Sequence, residues 1–297
     1  MKILLTGSSG RIGRAIFGAL AATHEVVGLD RSPFATTRIV ADVTDRKALE
    51  RAVRGVDAVI HTAALHAPHV GLVADAVFQQ INVDATAQLL LAAREAGVGR
   101  FVLTSTTALY GHAVVAGGCR WIDEDTEPLP RTIYHRTKLH AEALAEAAAD
   151  DRFAVRVLRM GRCFPEPPDR MAMFRLHRGI DARDVASAHA ALLSNGGAAF
   201  QRYIACAPTP FLREDCLQLA SAPRQVLARR APQWLAEFDR RGWPLPATID
   251  RVYDSRRAQA ALGWAPRFGP QEVLLQYAAG SIEVLPRAEW IGDRVAE

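Results

Sequence analysis

The chain has 297 residues, 49% of them apolar and 23% charged, with a net charge of +4. That is enough for one large α/β unit or two modest domains with a substantial core. Every apolar run is broken before it could cross a bilayer, and glycines interrupt MKILLTGSSG too early for a signal peptide, so no membrane partner is expected. The scattered Cys119, Cys163, Cys206 and Cys216 form no C-x-x-C pair, which argues against a disulfide framework or zinc site and for a reducing, cytoplasmic setting. Residues 1–150 carry 15 Lys and Arg against 16 Asp and Glu, whereas residues 151–297 carry 21 against 16. No basic run exceeds two residues, so nucleic acid is not an expected partner. An anionic small molecule handled by the second half accounts for the asymmetry, and so do solvated arginines. Only Lys2, Lys47 and Lys138 are lysines; the other 33 basic residues are arginine.

In chain order, Lys2–Thr6 reads as a strand, Arg11–Ala22 as an amphipathic helix, Glu25–Leu29 as a strand ending at Asp30, and Arg38–Ala41 as a third strand. A helix from Asp45 to Arg54, a strand at Ala58–His61 and a long helix at Asp75–Ala96 follow. Next come a strand at Phe101–Ser105, an alanine-rich helix at Tyr134–Ala149 and a strand at Phe153–Arg159. Gly161–Pro168 is a proline-rich loop, Ala182–Leu193 a helix and Phe200–Ala205 a last strand. This alternation predicts an α/β fold of Rossmann type, a doubly wound parallel sheet with a small C-terminal substrate lobe. Residues 1–162 and 180–206 are assigned to the nucleotide-binding domain, and 163–179 and 207–297 to the lobe.

Gly7-Ser8-Ser9-Gly10-Arg11-Ile12-Gly13 follows a strand and opens a helix. Glycines there let the backbone turn tightly against a pyrophosphate, and the helix N-terminus offers it free N–H groups. Asp30, at the end of the second strand, suits ribose hydroxyls and favours NAD. The neighbouring Arg31 could instead serve the phosphate of NADP. Asp42-Val43 could meet the adenine, with helix capping as the rival role of Asp42. Tyr134 and Lys138 are one helical turn apart and share a face. A phenol titrates at about 10, and a nearby ammonium lowers that value, so Tyr134 could act as a general base. Thr104–Gly111 follows the fifth strand and supplies hydroxyls to hold a substrate oxygen.

Together with His61-Thr62-Ala63-Ala64, Asn82 and Asp184-Val185-Ala186, these segments resemble the extended short-chain dehydrogenase/reductases, the NAD-dependent epimerase/dehydratase group. The resemblance implies that Thr106, Tyr134 and Lys138 are catalytic. It also implies that the cofactor meets Gly7, Ser9, Gly10, Arg11, Ile12, Gly13, Asp30, Arg31, Asp42, Val43, Ala63, Ala64, Asn82 and Thr104, besides Tyr134 and Lys138. Ser105 and Thr107 are neighbouring candidates for substrate contact. A homodimer through the two long helices is expected on the same ground.

The family's dehydratases carry an Asp-Glu pair where this chain has Thr107-Ala108, which disfavours dehydration. Residues 161–171 are similar to the loop of uronate dehydrogenases, and that resemblance assigns an acidic group of the substrate to Arg170, with Arg162 as a possible helper. An NAD-dependent dehydrogenase of a sugar or sugar acid is therefore expected. A nucleotide-sugar 4-epimerase is the alternative, although only 24 residues separate Arg159 from Asp184. A non-catalytic sensor is a further alternative, disfavoured by the presence of both Tyr134 and Lys138. His61, His66 and His69 are a poor metal template, and no metal is expected.

Overall fold

The computed structural model describes residues 1–114 and 117–287, so the end of the expected lobe, 288–297, lies outside the described residues. Strand β1 (Lys2–Thr6) runs through the glycine loop into α1 (Arg11–Leu20), followed by β2 (Glu25–Asp30), β3 (Ile39–Val40), α2 (Arg46–Ala52) and β4 (Ala58–His61). Helix α3 (Asp75–Gln79) passes through a π-helical turn at Gln80–Asp84 into α4 (Ala85–Glu95). Then come β5 (Arg100–Thr106), β6 (Arg120–Ile122), α5 (Ile133–Ala148), β7 (Ala154–Met160), α6 (Pro168–His177), α7 (Ala182–Ser194) and β8 (Phe200–Ala205). The remainder comprises α8 (Cys216–Leu219), α9 (Pro223–Arg230), α10 (Pro232–Arg240), β9 (Arg251–Tyr253), α11 (Arg256–Leu262) and α12 (Pro270–Ala278). Among the described residues no helix is long and apolar enough to cross a membrane.

Seven strands form one parallel sheet in the order β3-β2-β1-β4-β5-β7-β8. The winding reverses between β1 and β4, which opens a crevice at the carboxyl ends of the strands, where open α/β sheets bind ligands. Both faces of the sheet are covered, so its strands read as continuous apolar runs such as Ile3-Leu4-Leu5 and Phe101-Val102-Leu103. Leu49, Leu89, Leu90, Ala141 and Ala145 bring α2, α4 and α5 onto one face. Ile16, Leu20, Val185 and Leu192 bring α1 and α7 onto the other. Strand β7 departs from the apolar rule with Arg156 and Arg159, each 1% exposed. Arg156 spends its donors on carbonyls of Asn195, Gly196, Ala198 and Ala199. Arg159 is paired with Glu142 at 2.7 Å, which satisfies the requirement that a buried charge be matched.

The lobe has its own core, in which Met171 and Met173 of α6 pack with Phe211, Val226, Phe238, Trp243 and Val273. Its β6–β9 pair and its helix α6 were not foreseen. Strands β6 and β9 pair in parallel, with Trp121 opposite Val252, so three residues of the first half are built into the second. Runs of three residues are too short to show a period. Helix α6 begins at Pro168, inside the stretch read as irregular, with proline in the first turn where its missing N–H costs nothing.

Burial holds three histidines neutral. It presses the imidazole of His61 down to about 3, with the Lys138 charge adding to the effect. It takes His189 to about 4 and His177 to about 3. The unfolded chain binds protons at these rings below about pH 6.5 while the folded chain does not, so stability is full above that value and falls as the pH drops toward the folded values. Urea midpoints should therefore decline between about pH 6.5 and 4, ahead of ordinary carboxylate titration, and His189→Gln should flatten the decline. A midpoint constant across that window would contradict the assignment.

Candidate active site

The crevice is a cavity of about 780 Å³. At its floor Gly7 has a φ of +74°, and a Cβ there would lie 2.5 Å from Thr62 Oγ1 and 2.7 Å from Ala63 N. A Cβ on Gly13 would lie 2.0 Å from Gly7 O. Glycine is thus required twice, once for the left-handed turn and once so that α1 can start against the loop. Beside it, the Asp30 carboxylate accepts from Ser9 N at 3.1 Å and from Ser32 N at 2.9 Å, which fixes it at the rim. Asp42 accepts from the backbone and hydroxyl of Thr44 at 2.9 and 2.8 Å, while the cap of α2 is Asp45. The glycine cradle, the free helix N-terminus and the rim carboxylate fit a nicotinamide dinucleotide.

The catalytic candidates meet at the ends of β5 and α5. Thr132 caps α5 by accepting from His135 N at 3.3 Å, which sets Tyr134 in the first turn. Burial pushes the Tyr134 phenol up to about 12, against the lowering influence of the Thr106 hydroxyl beside it. Lys138 is 4% exposed and donates from Nζ to Thr104 O at 2.7 Å. Burial lowers its ammonium to about 8, opposed by the Glu142 carboxylate one turn on.

Of the residues expected from sequence, two stand apart from the cleft lining, Asn82 and Arg170; the others line it. Asn82, within the π-helical turn, donates to Leu65 O at 2.9 Å and Thr137 Oγ1 at 3.1 Å and accepts from Leu65 N at 2.8 Å. It joins the loop after β4 to α5 from behind the cleft. Arg170 is exposed on α6, outside the cavity. Ser105 lies on the cleft wall, but its hydroxyl donates to Glu142 at 2.5 Å, because alternate strand residues face opposite ways. The Thr107 hydroxyl donates to Met160 O at 3.3 Å. Arg162 holds Glu166 through two bonds of 2.7 and 2.8 Å.

Sequence reading missed Arg178, Arg251 and Tyr253, which also line the cleft. Arg251 is paired with Asp250 at 3.0 and 2.6 Å. Tyr253 donates to Thr107 O at 3.1 Å, tying the lobe to the residue next to Thr106. The arginine surplus of the second half was the available signal, but it could not say which arginines. His66 stacks on Phe164 with centroids 5.7 Å apart, forming another wall. Arg11, at the start of α1, is held by Glu283 at 2.8 Å. Among the described residues no group of three His, Cys, Asp or Glu side chains could hold a metal ion.

The two glycines of α1 give a paired test. A Cβ on Gly18 meets nothing within 4 Å, so Gly18→Ala should leave NADH binding intact and add about 0.5–1 kcal/mol of helix stability. Gly13→Ala should cost about 1–3 kcal/mol through the clash with Gly7 O and abolish NADH binding, read by fluorescence titration. Equal NADH affinity in the two variants would contradict the cradle.

Comparison with known proteins places this geometry. A 3-beta-hydroxysteroid dehydrogenase of Mycolicibacterium neoaurum is 34% identical over 157 residues, 48% of this chain and 41% of that protein. An NAD-dependent glucose-6-phosphate dehydrogenase of Haloferax volcanii is 37% identical over 119 residues, 37% of this chain and 44% of that protein. The matches thus span under half the length of these relatives. The solved structure of MoeE5 in complex with UDP-glucose and NAD is similar in fold, with a TM-score of 0.69 at 24% identity, covering 94% of this chain and 98% of that one. Residues 3–173, more than half of the chain, match the NAD dependent epimerase/dehydratase family, and the chain belongs to that family.

Proposed function

We propose that the chain is an NAD-dependent dehydrogenase that oxidises a hydroxyl of a small, anionic sugar-type substrate. The observation that carries this reading is the meeting of Thr106, Tyr134 and Lys138 in the cavity that the glycine loop floors. The glycine loop would hold the pyrophosphate, Asp30 the adenosine ribose, and Lys138 the ribose hydroxyls nearer the reacting ring. When bound, the oxidised dinucleotide supplies the hydride acceptor and a positive ring. Thr106 Oγ1 holds the substrate hydroxyl, and Tyr134 Oη takes its proton. The half-buried phenol resists ionisation on its own; a cationic neighbour is what lowers such a value. The Asp30 carboxylate favours NAD, while Arg31 on the same wall leaves room for NADP.

The NAD-dependent glucose-6-phosphate dehydrogenase among the relatives supports a sugar dehydrogenase. A small substrate is supported by the link between β7 and α7, which holds the single ten-residue helix α6. A nucleotide-sugar 4-epimerase would use the same three residues but return the hydride, giving no net NADH. We also propose a homodimer through α4 and α5, where Leu91 is 51% exposed.

Tyr134→Phe should lower kcat by about 10²–10⁴-fold with folding and NADH binding intact, the usual contribution of a positioned acid–base group. Lys138→Arg should also lose activity, because a planar guanidinium cannot occupy the sealed point-charge site below Thr104. Net NADH formation from a panel of aldoses, sugar acids and nucleotide sugars checks the redox class. Full turnover by Tyr134→Phe would overturn the assignment of the base, and epimerised product without NADH would overturn the dehydrogenase.

A further inference from the structure

The dehydrogenase reading leaves open what the substrate's charge meets. Three guanidiniums from the second half of the chain line the cleft: Arg162, Arg178 and Arg251. Two are already answered, Arg162 by Glu166 and Arg251 by Asp250, each through two hydrogen bonds. Arg178 is different. Among the described residues no carboxylate lies within 4.0 Å of it, and its Nε is buried with no hydrogen-bond partner. Its guanidinium carbon sits 3.9 Å from the centroid of the Phe174 ring, which orients the group without neutralising it. Its backbone is fixed on both sides, since Arg178 N donates to Phe174 O at 2.8 Å and Arg178 O accepts from Arg162 N at 2.9 Å.

A buried donor without a partner is costly in a folded protein, and here it belongs to a half-buried guanidinium that faces the cleft. Burial and the charge of Arg251 hold the Arg178 guanidinium below its ordinary value despite the Asp250 carboxylate, and an arriving anion would oppose that shift. Three cations face two carboxylates here, so one positive charge is uncompensated. A single carboxylate matches that charge and offers two acceptors to one guanidinium. A phosphate dianion or a diphosphate would instead bring surplus negative charge against Glu166 and Asp250.

Resting on the dehydrogenase reading, we infer that Arg178 is the receptor for one carboxylate of the substrate. The substrate class is then a free monocarboxylic sugar acid, whose reacting hydroxyl lies at Thr106 and Tyr134. This assigns to Arg178 the part that loop resemblance assigned to Arg170, which is exposed outside the cavity.

The test uses the full chain saturated with NADH and calorimetric titration of D-glucuronate and D-galacturonate. The arms for other chemistries are D-glucose, D-galactose, glucose 6-phosphate and UDP-glucuronate. At least one hexuronate should bind the wild type more tightly than every other arm. Arg178→Met should weaken it by about tenfold to a hundredfold, the range for a hydrogen bond to a charged group, and Arg170→Met should leave it within about twofold. NADH affinity, measured separately, should be the same in both variants, which reports that the fold is intact. The proposal is overturned if neither hexuronate binds, if Arg178→Met binds as well as wild type, or if the phosphate or nucleotide sugar binds more tightly. The two readings separate cleanly. Arg178-dependent hexuronate binding without NADH production from NAD⁺ would keep the subsite and sink the dehydrogenase; equal NADH production from aldose and hexuronate would do the reverse.

Discussion

The site is organised around one buried positive charge. The ammonium of Lys138 is enclosed beneath the carboxyl end of β5, with the Thr104 carbonyl 2.7 Å away as its hydrogen-bond acceptor. Burial lowers its pKa to about 8, and the Glu142 carboxylate one turn along α5 works against that lowering. Much of the surrounding interior serves this carboxylate. Glu142 accepts from Ser105 and from Nε and Nη2 of Arg159, and Arg159 Nη1 in turn donates to the Tyr110 phenol at 2.7 Å. A charge held this way is fixed in place on the cleft wall that Thr106 and Tyr134 also line, and a fixed charge is the condition for electrostatic preorganisation. The surplus of arginine over lysine elsewhere gives that position its meaning: a compact, sealed ammonium is the one task here for which arginine is a poor replacement.

The lobe is fastened to this centre by specific bonds rather than by apolar contact alone. Pairing of β6 with β9 brings Arg251 and Tyr253 to the cleft, and the Tyr253 phenol reaches the carbonyl beside Thr106. On the opposite wall, Arg162 N and Ile180 N exchange bonds with the carbonyls of Arg178 and Arg162, each at 2.9 Å. That pins the loop of residues 161–167 to the turn that carries Arg178. The end of the described chain closes the circuit, with Glu283 on Arg11 and Leu285 N donating to Glu166 O at 3.0 Å. The part of the cavity lined by Arg162, Arg178 and Arg251 is thereby assembled from segments far apart in sequence.

That difference in range explains what could be read without coordinates. The glycine loop, the rim aspartate and the Tyr134–Lys138 pair are local patterns, each set by a turn, a strand end or one helical turn, so their spacing alone placed them together. Strand alternation could have turned the Ser105 hydroxyl away from the cleft, since Thr104 and Thr106 take the other face, but only once the buried acceptor Glu142 is known. Arg178 and Arg251 were not legible, because their meeting depends on two strands of three residues and on a loop-to-turn bridge across sixteen residues. The resemblance that pointed to Arg170 failed to account for α6, whose buried side is made by Met171, Ala172 and Arg175 and leaves Arg170 exposed.

The central claim is that Tyr134 becomes a usable base only when a cation joins Lys138 beside it. Ultraviolet difference titration of the phenols, comparing wild type with Tyr134→Phe, tests this directly. Without the dinucleotide, the signal that the variant lacks should appear near the value of about 12 imposed by burial. With saturating NAD⁺ it should move to distinctly lower pH, and with the neutral ring of NADH it should stay high. A Tyr134 titration that is the same in all three states would contradict the account.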